Sequence, residues 1–203
     1  ATILRIETKG RPTQYLRREV RAVEKRLRAM IEPLGEAAEV SLLIDQAVLE
    51  HLAESELEGD ARIALEEEFA LLSAEMGDFQ FSITKPYWSN REKKNKGSGG
   101  LFAITVNPYT CKGCMECIEV CKDEALVSVT QTRDSVADLR KNWDFWLDLP
   151  NTPEKYIRVD NLEEGIGALE TILLNKDAYL PFASGDGSCL GCSEKTVVHL
   201  FVA

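Results

Sequence analysis

Leu16, Val20, Val23, Leu27 and Met30 recur at spacings of four, three, four and three, which makes one apolar stripe along an amphipathic helix. Arg17, Arg18, Arg21, Lys25, Arg26 and Arg28 cover its other sides, and Pro33 or Gly35 closes it. A second helical pattern, with Val48, Leu49 and Leu52, begins at Asp45 as N-cap. A third, with Leu65, Phe69, Leu72 and Met76, begins at Asp60 and stops at Gly77. Three such helices predict a small bundle. Phe79-Gln-Phe-Ser-Ile-Thr84 then alternates as a strand does, and Lys85 to Gly100, with its Lys, Asn, Ser and Gly, reads as a flexible linker. Beyond it the pattern predicts a strand at Leu101-Phe-Ala-Ile-Thr-Val-Asn107 and a short helix from Met115 to Lys122. A returning strand follows at Ala125-Leu-Val-Ser-Val-Thr130.

Charge sharpens the division of the chain. Residues 36–80 hold thirteen acids and one base, Arg62, whereas residues 1–35 hold nine bases and four acids. Either the basic helix packs beside the acidic pair, or the acidic face docks a basic partner. The formal net charge of −10 over 203 residues argues against a general nucleic-acid binder, which needs a basic face to displace phosphate counterions. No run of about 18 consecutive apolar residues occurs, and no charged n-region precedes an apolar h-region at the N-terminus. A soluble, cytoplasmic chain with no membrane and no nucleic-acid partner is the expectation.

The cysteines set the chemistry. Four of the six stand in Cys111-Lys-Gly-Cys114-Met-Glu-Cys117-Ile-Glu-Val-Cys121, and two in Cys189-Leu-Gly-Cys192. A disulfide scaffold belongs to small secreted chains with spread cysteines, and these are packed too closely. Zinc takes Cys-x-x-Cys pairs, but three cysteines at successive three-residue steps wrap a cubane better than one tetrahedral ion. A 4Fe–4S cluster needs thiolates on separate corners, and a short loop supplies three of them while Gly113 lets the backbone come close. With its flanking strands this reads as half of a bacterial-type ferredoxin fold. Where two such motifs are present, the fourth cysteine of each run ligates the other cluster. Here the partner motif is absent, and Lys122 stands where the bacterial pattern has Pro. Cys121 therefore completes one local four-thiolate site, or leaves the fourth position to an outside ligand, or stands idle beside a three-iron cluster.

Three pieces follow one another in order: the four-cysteine run, then Asn142-Trp-Asp-Phe-Trp-Leu-Asp-Leu-Pro150, then Phe182-Ala-Ser-Gly-Asp-Gly-Ser-Cys-Leu-Gly-Cys-Ser-Glu-Lys-Thr196. On these, residues 101–203 resemble the pyruvate:ferredoxin (flavodoxin) oxidoreductase family of 2-oxoacid oxidoreductases. The resemblance implies that Cys189 and Cys192 give two of four thiolates to the cluster nearest thiamine pyrophosphate, and that Glu194 lies near that cofactor. It further implies Mg2+ beside the thiamine, coenzyme A as a substrate, ferredoxin or flavodoxin as electron acceptor, and a homodimeric parent enzyme. The chain departs from the family in one respect: where a first cluster motif belongs, the bundle and linker carry no cysteine.

The expected fold class is therefore α+β: a helical accessory region over 1–84, a linker over 85–100 and a ferredoxin-like βαβ module over 101–135. A connector over 136–181 and the truncated start of a thiamine-binding α/β domain over 182–203 complete it. Ala1 is not Met, and the last residues, Thr196-Val-Val-His-Leu-Phe-Val-Ala203, are an apolar run without a stop signal, so the chain reads as an internal piece of a longer protein. In such a parent this piece contributes electron wiring and no catalytic residue of its own. A stand-alone single-cluster electron carrier is the alternative, and a zinc-binding interaction module a third reading. Gly185-Asp-Gly187 looks like a thiamine-enzyme Mg2+ motif but precedes the cysteine pair with too little chain after it, and is read as a turn. His51 and His199 lie in apolar helical patterns and are read as packed or exposed. Trp143 and Trp146 are read as anchors of the connector.

Overall fold

The computed structural model describes residues 2–157, 166–167, 171–182, 197 and 201. These fall into two units, residues 1–104 with 145–150 and residues 105–144 with 151–203.

The first unit is built on α1 (Thr2–Thr8), α2 (Gln14–Leu34), α3 (Val40–Glu54) and α4 (Gly59–Met76). The predicted stripe on α2 is the one that packs: Leu16 and Val23 are buried with Ile6 of α1, Ala47 of α3, and Leu65 and Phe69 of α4, and Val20, Leu27 and Met30 lie against them. Each fully buried Leu, Ile or Phe here contributes about 1.5–3 kcal/mol. The helix ends at Leu34 because Gly35 takes a left-handed φ of 55° and returns its N–H to the Ile31 carbonyl. A second cluster gathers Ile31, Ala38, Val40, Ile83 and Trp88. Val40 is 1% exposed there, and this packing starts α3 at Val40, so Asp45 sits inside the helix rather than capping it. Leu49, counted in the α3 pattern, is 66% exposed.

Basic α2 lies beside the acidic pair. Arg26 bonds Glu50 at 3.1 Å and also Glu54 on α3, and Arg28 bonds Glu24 and Glu92, each at 3.1 Å. α1, which has no strong periodic signal, is tied to α2 through Glu7. Its carboxylate receives the Arg17 guanidinium at 2.5 and 2.7 Å and the Thr13 hydroxyl. The Arg17 hydrogen bonds, then that of Thr13, hold the Glu7 carboxyl down at about 2 from its ordinary 4.5. A group depressed on folding stabilises the fold above its unfolded pKa, and that stability disappears as pH falls through the folded one. The urea midpoint advantage of the parent chain over Glu7→Gln is thus expected to be constant above about pH 5 and to shrink between about pH 4.5 and 2. An advantage unchanged at pH 2 contradicts this.

Among the described residues there is no strand, and this overturns the α+β expectation and the ferredoxin-like βαβ module with it. Alternation makes a strand only when a neighbour satisfies its backbone groups, and a lone pair of short strands is marginal in water. Phe79–Thr84 finds such a neighbour at one point, Ser82 antiparallel to Phe102, with N–H···O distances of 2.7 and 3.0 Å. Phe81 and Ile83 pack into the helical core instead. Val127 and Val129 of the expected returning strand are 74% and 67% exposed, so that segment has no face to bury. The expected thiamine-domain start over 182–203 lies, apart from residues 182, 197 and 201, outside the described residues.

Residues 85–100, expected as a flexible linker, begin with a π turn, Lys85–Ser89, that buries Tyr87 and Trp88, and continue into α5 (Asn90–Lys94). The Glu92 carboxylate accepts the Gly97 and Gly99 N–H groups, each at 2.7 Å, and Arg28 sits over the Trp88 ring at 5.1 Å. A Cβ on Gly99 would stand 2.7 Å from Glu92 Oε1 and 2.9 Å from Trp88 Cδ2, so the loop closes on glycine.

The second unit carries the cysteine run, α6 (Glu116–Glu119), most of α7 (Arg133–Asp148), α8 (Glu154–Ile157) and the helix Lys176–Phe182. Thr132 and Ser135 cap α7 reciprocally, each side-chain oxygen accepting the other residue's N–H, at 2.9 and 3.1 Å. Asn151 clips the unit by donating to Asn175 at 2.7 Å and Asp177 at 3.2 Å while accepting the Lys176 N–H at 3.0 Å. The end of α7 belongs to the first unit, where Phe145 packs on Phe79 with ring centroids 4.9 Å apart and Asp148 pairs with Arg5.

Candidate functional site

The cysteine run starts from a turn at Asn107. Its side-chain oxygen accepts the Tyr109 N–H at 3.0 Å, and its carbonyl accepts those of Thr110 and Cys111 at 3.3 and 2.9 Å. Arg140 of α7 lies over the Tyr109 ring at 5.2 Å and ties this turn to the helix. The chain then bends through two left-handed residues, Gly113 and Met115, both at φ 65°. Met115 opens α6, its carbonyl accepting the Ile118 and Glu119 N–H groups at 2.9 and 3.0 Å. The predicted short helix is thus present, over four residues, with Cys117 on it.

After α6 the backbone turns again. Cys121 donates to the Ile118 carbonyl at 3.2 Å and accepts from Glu124 at 3.3 Å. Glu124 is left-handed at φ 50°, and the next N–H, that of Ala125, points at Cys121 Sγ, 3.3 Å away.

All four thiols are free; Cys111, Cys114 and Cys117 are exposed and Cys121 is half-buried. Among the described residues, no three Cys, His, Asp or Glu side chains close around a common point. The donor set nevertheless fits an iron–sulfur cluster in its chemistry: four soft, unbridged thiols within eleven residues. To hold a cluster, at least three of them would have to converge. Cys189, Cys192, Glu194, the Gly185–Gly187 triplet and His199 lie outside the described residues. His51 is a packing residue, its Nε2 3.0 Å from Glu19 and its ring edge-on to Phe69. Trp143 is buried and Trp146 half-buried.

Sequence reasoning missed Met115 and Glu124 as bend points, because a left-handed non-glycine residue leaves no compositional signal. It also missed Phe145 between the two tryptophans, although the same aromatic run held it.

Over 123 residues, 61% of the chain, the sequence is 28% identical to the mitochondrial pyruvate dehydrogenase (NADP+) of Euglena gracilis, of which it covers 6%. Over 113 residues, 53% of the chain, it is 26% identical to the pyruvate-flavodoxin oxidoreductase of Rhodospirillum rubrum, covering 8% of that protein. A pyruvate-flavodoxin oxidoreductase of a Nostoc species matches 49% of the chain at 27% identity, again covering 8% of the relative. About half of this chain is similar in sequence to these pyruvate oxidoreductases. The resemblance read from the cysteine and aromatic motifs therefore stands, and by their names the relatives are oxidoreductases acting on pyruvate. The chain spans less than a tenth of the length of these family members. No family model matches the chain, and no solved structure matches it. No helix among the described residues is long and apolar enough to cross a membrane.

Proposed function

We propose that this chain is the electron-transfer segment of a pyruvate:ferredoxin or pyruvate:flavodoxin oxidoreductase-like enzyme, working in the cytoplasm, with Cys111, Cys114 and Cys117 holding a 4Fe–4S cluster. The observation that carries the reading is the set of free thiols at 111, 114, 117 and 121, three of them open to solvent on a loop bent at Gly113 and Met115. The names of the relatives favour a redox role for that set over a structural zinc site. When bound, the cluster supplies one-electron transfer. The chain's own part is to present the thiols, turn the backbone so that they can converge, and fix the loop to α7 through Tyr109 and Arg140. In the same reading Cys189 and Cys192 serve a second cluster. Glu194 then stands near thiamine pyrophosphate and its Mg2+, coenzyme A takes the acyl product, and ferredoxin or flavodoxin takes the electrons.

The test is anaerobic reconstitution with ferrous iron and sulfide, followed by metal analysis and EPR of the dithionite-reduced chain. About four irons per chain and a paramagnetic signal on reduction are expected. Zinc bound in place of iron, with no signal, would falsify the reading. Cys121→Ser then separates the ligand options: loss of the signal assigns the fourth corner to Cys121, and retention assigns it elsewhere.

A further inference from the structure

Cys121 differs from the other three thiols. It is half-buried where they are exposed, and it accepts a backbone hydrogen bond, from the Ala125 N–H at 3.3 Å. That bond depends on the residue before the donor. Glu124 holds a left-handed φ of 50°, a conformation that L side chains with a Cβ seldom adopt. Its side chain is exposed, so packing does not force the conformation. What the conformation does is turn the chain after Cys121 so that the next amide faces the sulfur. Lys122, Asp123, Glu124 and Ala125 are all exposed, so no core contact competes for this turn.

We propose that Glu124 and the Ala125 N–H form a positioning device for the reduction potential of the cluster, an inference that rests on the cluster reading above with Cys121 as the fourth ligand. The physics is one of charge. One-electron reduction adds negative charge that is shared with the thiolate sulfurs, and an amide dipole already aimed at one of them stabilises the reduced form more than the oxidised form. The amide therefore raises the potential. No bond is made or broken; dithionite supplies the electron in the test.

The test uses the whole reconstituted chain in an EPR-monitored redox titration, with iron analysis of each variant. Ala125→Pro removes the N–H without replacing any cysteine, and it also disfavours the left-handed turn at Glu124. It is expected to bind the same iron, while its reduction equilibrium falls about tenfold, a shift of about 59 mV to more negative potential for one electron. Glu124→Gly and Glu124→Val remove the same charge, but glycine keeps the left-handed turn and a β-branched residue does not. Their difference therefore reads the turn alone, and the Val variant is expected to have the lower potential. If Ala125→Pro binds no iron, the Gly and Val pair decides. Equal potentials in that pair, or an iron-loaded Ala125→Pro with the parent potential, overturn this inference alone. A parent chain that takes up no cluster overturns the cluster reading and this inference with it.

Discussion

A Cys114→Ser chain is expected to retain less than about one iron after anaerobic reconstitution, against about four for the parent chain. Cys114 is the middle thiol of the run and stands between the two left-handed residues Gly113 and Met115. The loop thus places it at the bend, with Cys111 before it and Cys117 after it. Serine preserves size but offers a hard, weakly acidic hydroxyl, a poor substitute for a thiolate toward iron. Cys189→Ser provides the contrast. Under the proposed assignment Cys189 and Cys192 supply only half of a second site, so its loss is expected to leave the iron content of this chain unchanged. Equal losses in Cys114→Ser and Cys189→Ser would show that the two cysteine groups share one centre, and the four-plus-two division would be abandoned.

The helical first unit was legible because its signal is redundant. Five apolar residues on α2 repeat with the helical period, and the same residues line the core. Element starts were less so: α3 begins five residues before the apparent cap at Asp45, because burial of Val40 against Ile31 and Trp88 outweighs a capping preference. The strands failed for a related reason. Alternation in 79–84, 101–107 and 125–130 is a statement about each segment, whereas a strand is a property of two segments, and among the described residues these segments pair only at Ser82 and Phe102. The site divides the same way. Thiol spacing named the donors, and Gly113 announced one bend, yet the Met115 and Glu124 bends and the amide aimed at Cys121 are backbone features that any residue names would conceal. Glycine and lysine in 85–100 suggested looseness, but what decides their state is a carboxylate, Glu92, placed to accept two amides, and a Trp88 ring filling the space beneath Gly99.

Truncating Glu68 to alanine is expected to destabilise the first unit by about 3 kcal/mol, from a hydrogen bond to a charged group together with the space left behind. Glu68 lies on the core side of α4, 2% exposed, between residues that sequence alone makes apolar. Its carboxylate is there to serve another helix: Oε2 accepts the Leu16 N–H at 2.7 Å. Leu16 is the third residue of α2, one of the four amides that a helix start leaves without a partner. Thr13, at the usual capping position, makes no side-chain cap, since its hydroxyl is turned to Glu7. The cap is thus supplied from α4, fifty-two positions away in sequence, and it adds a negative charge at the positive end of the α2 dipole. Three substitutions separate these contributions. Glu68→Gln keeps the shape and an acceptor and loses mainly the charge, at about 1 kcal/mol. Glu68→Leu fills the space but leaves the Leu16 amide buried and unpaired, at about 2 kcal/mol. Glu68→Ala loses both and is expected to be worst. Urea midpoints followed by helix circular dichroism on the iron-free chain give the order directly. If alanine and glutamine prove equivalent, the hydrogen bond contributes nothing beyond its charge.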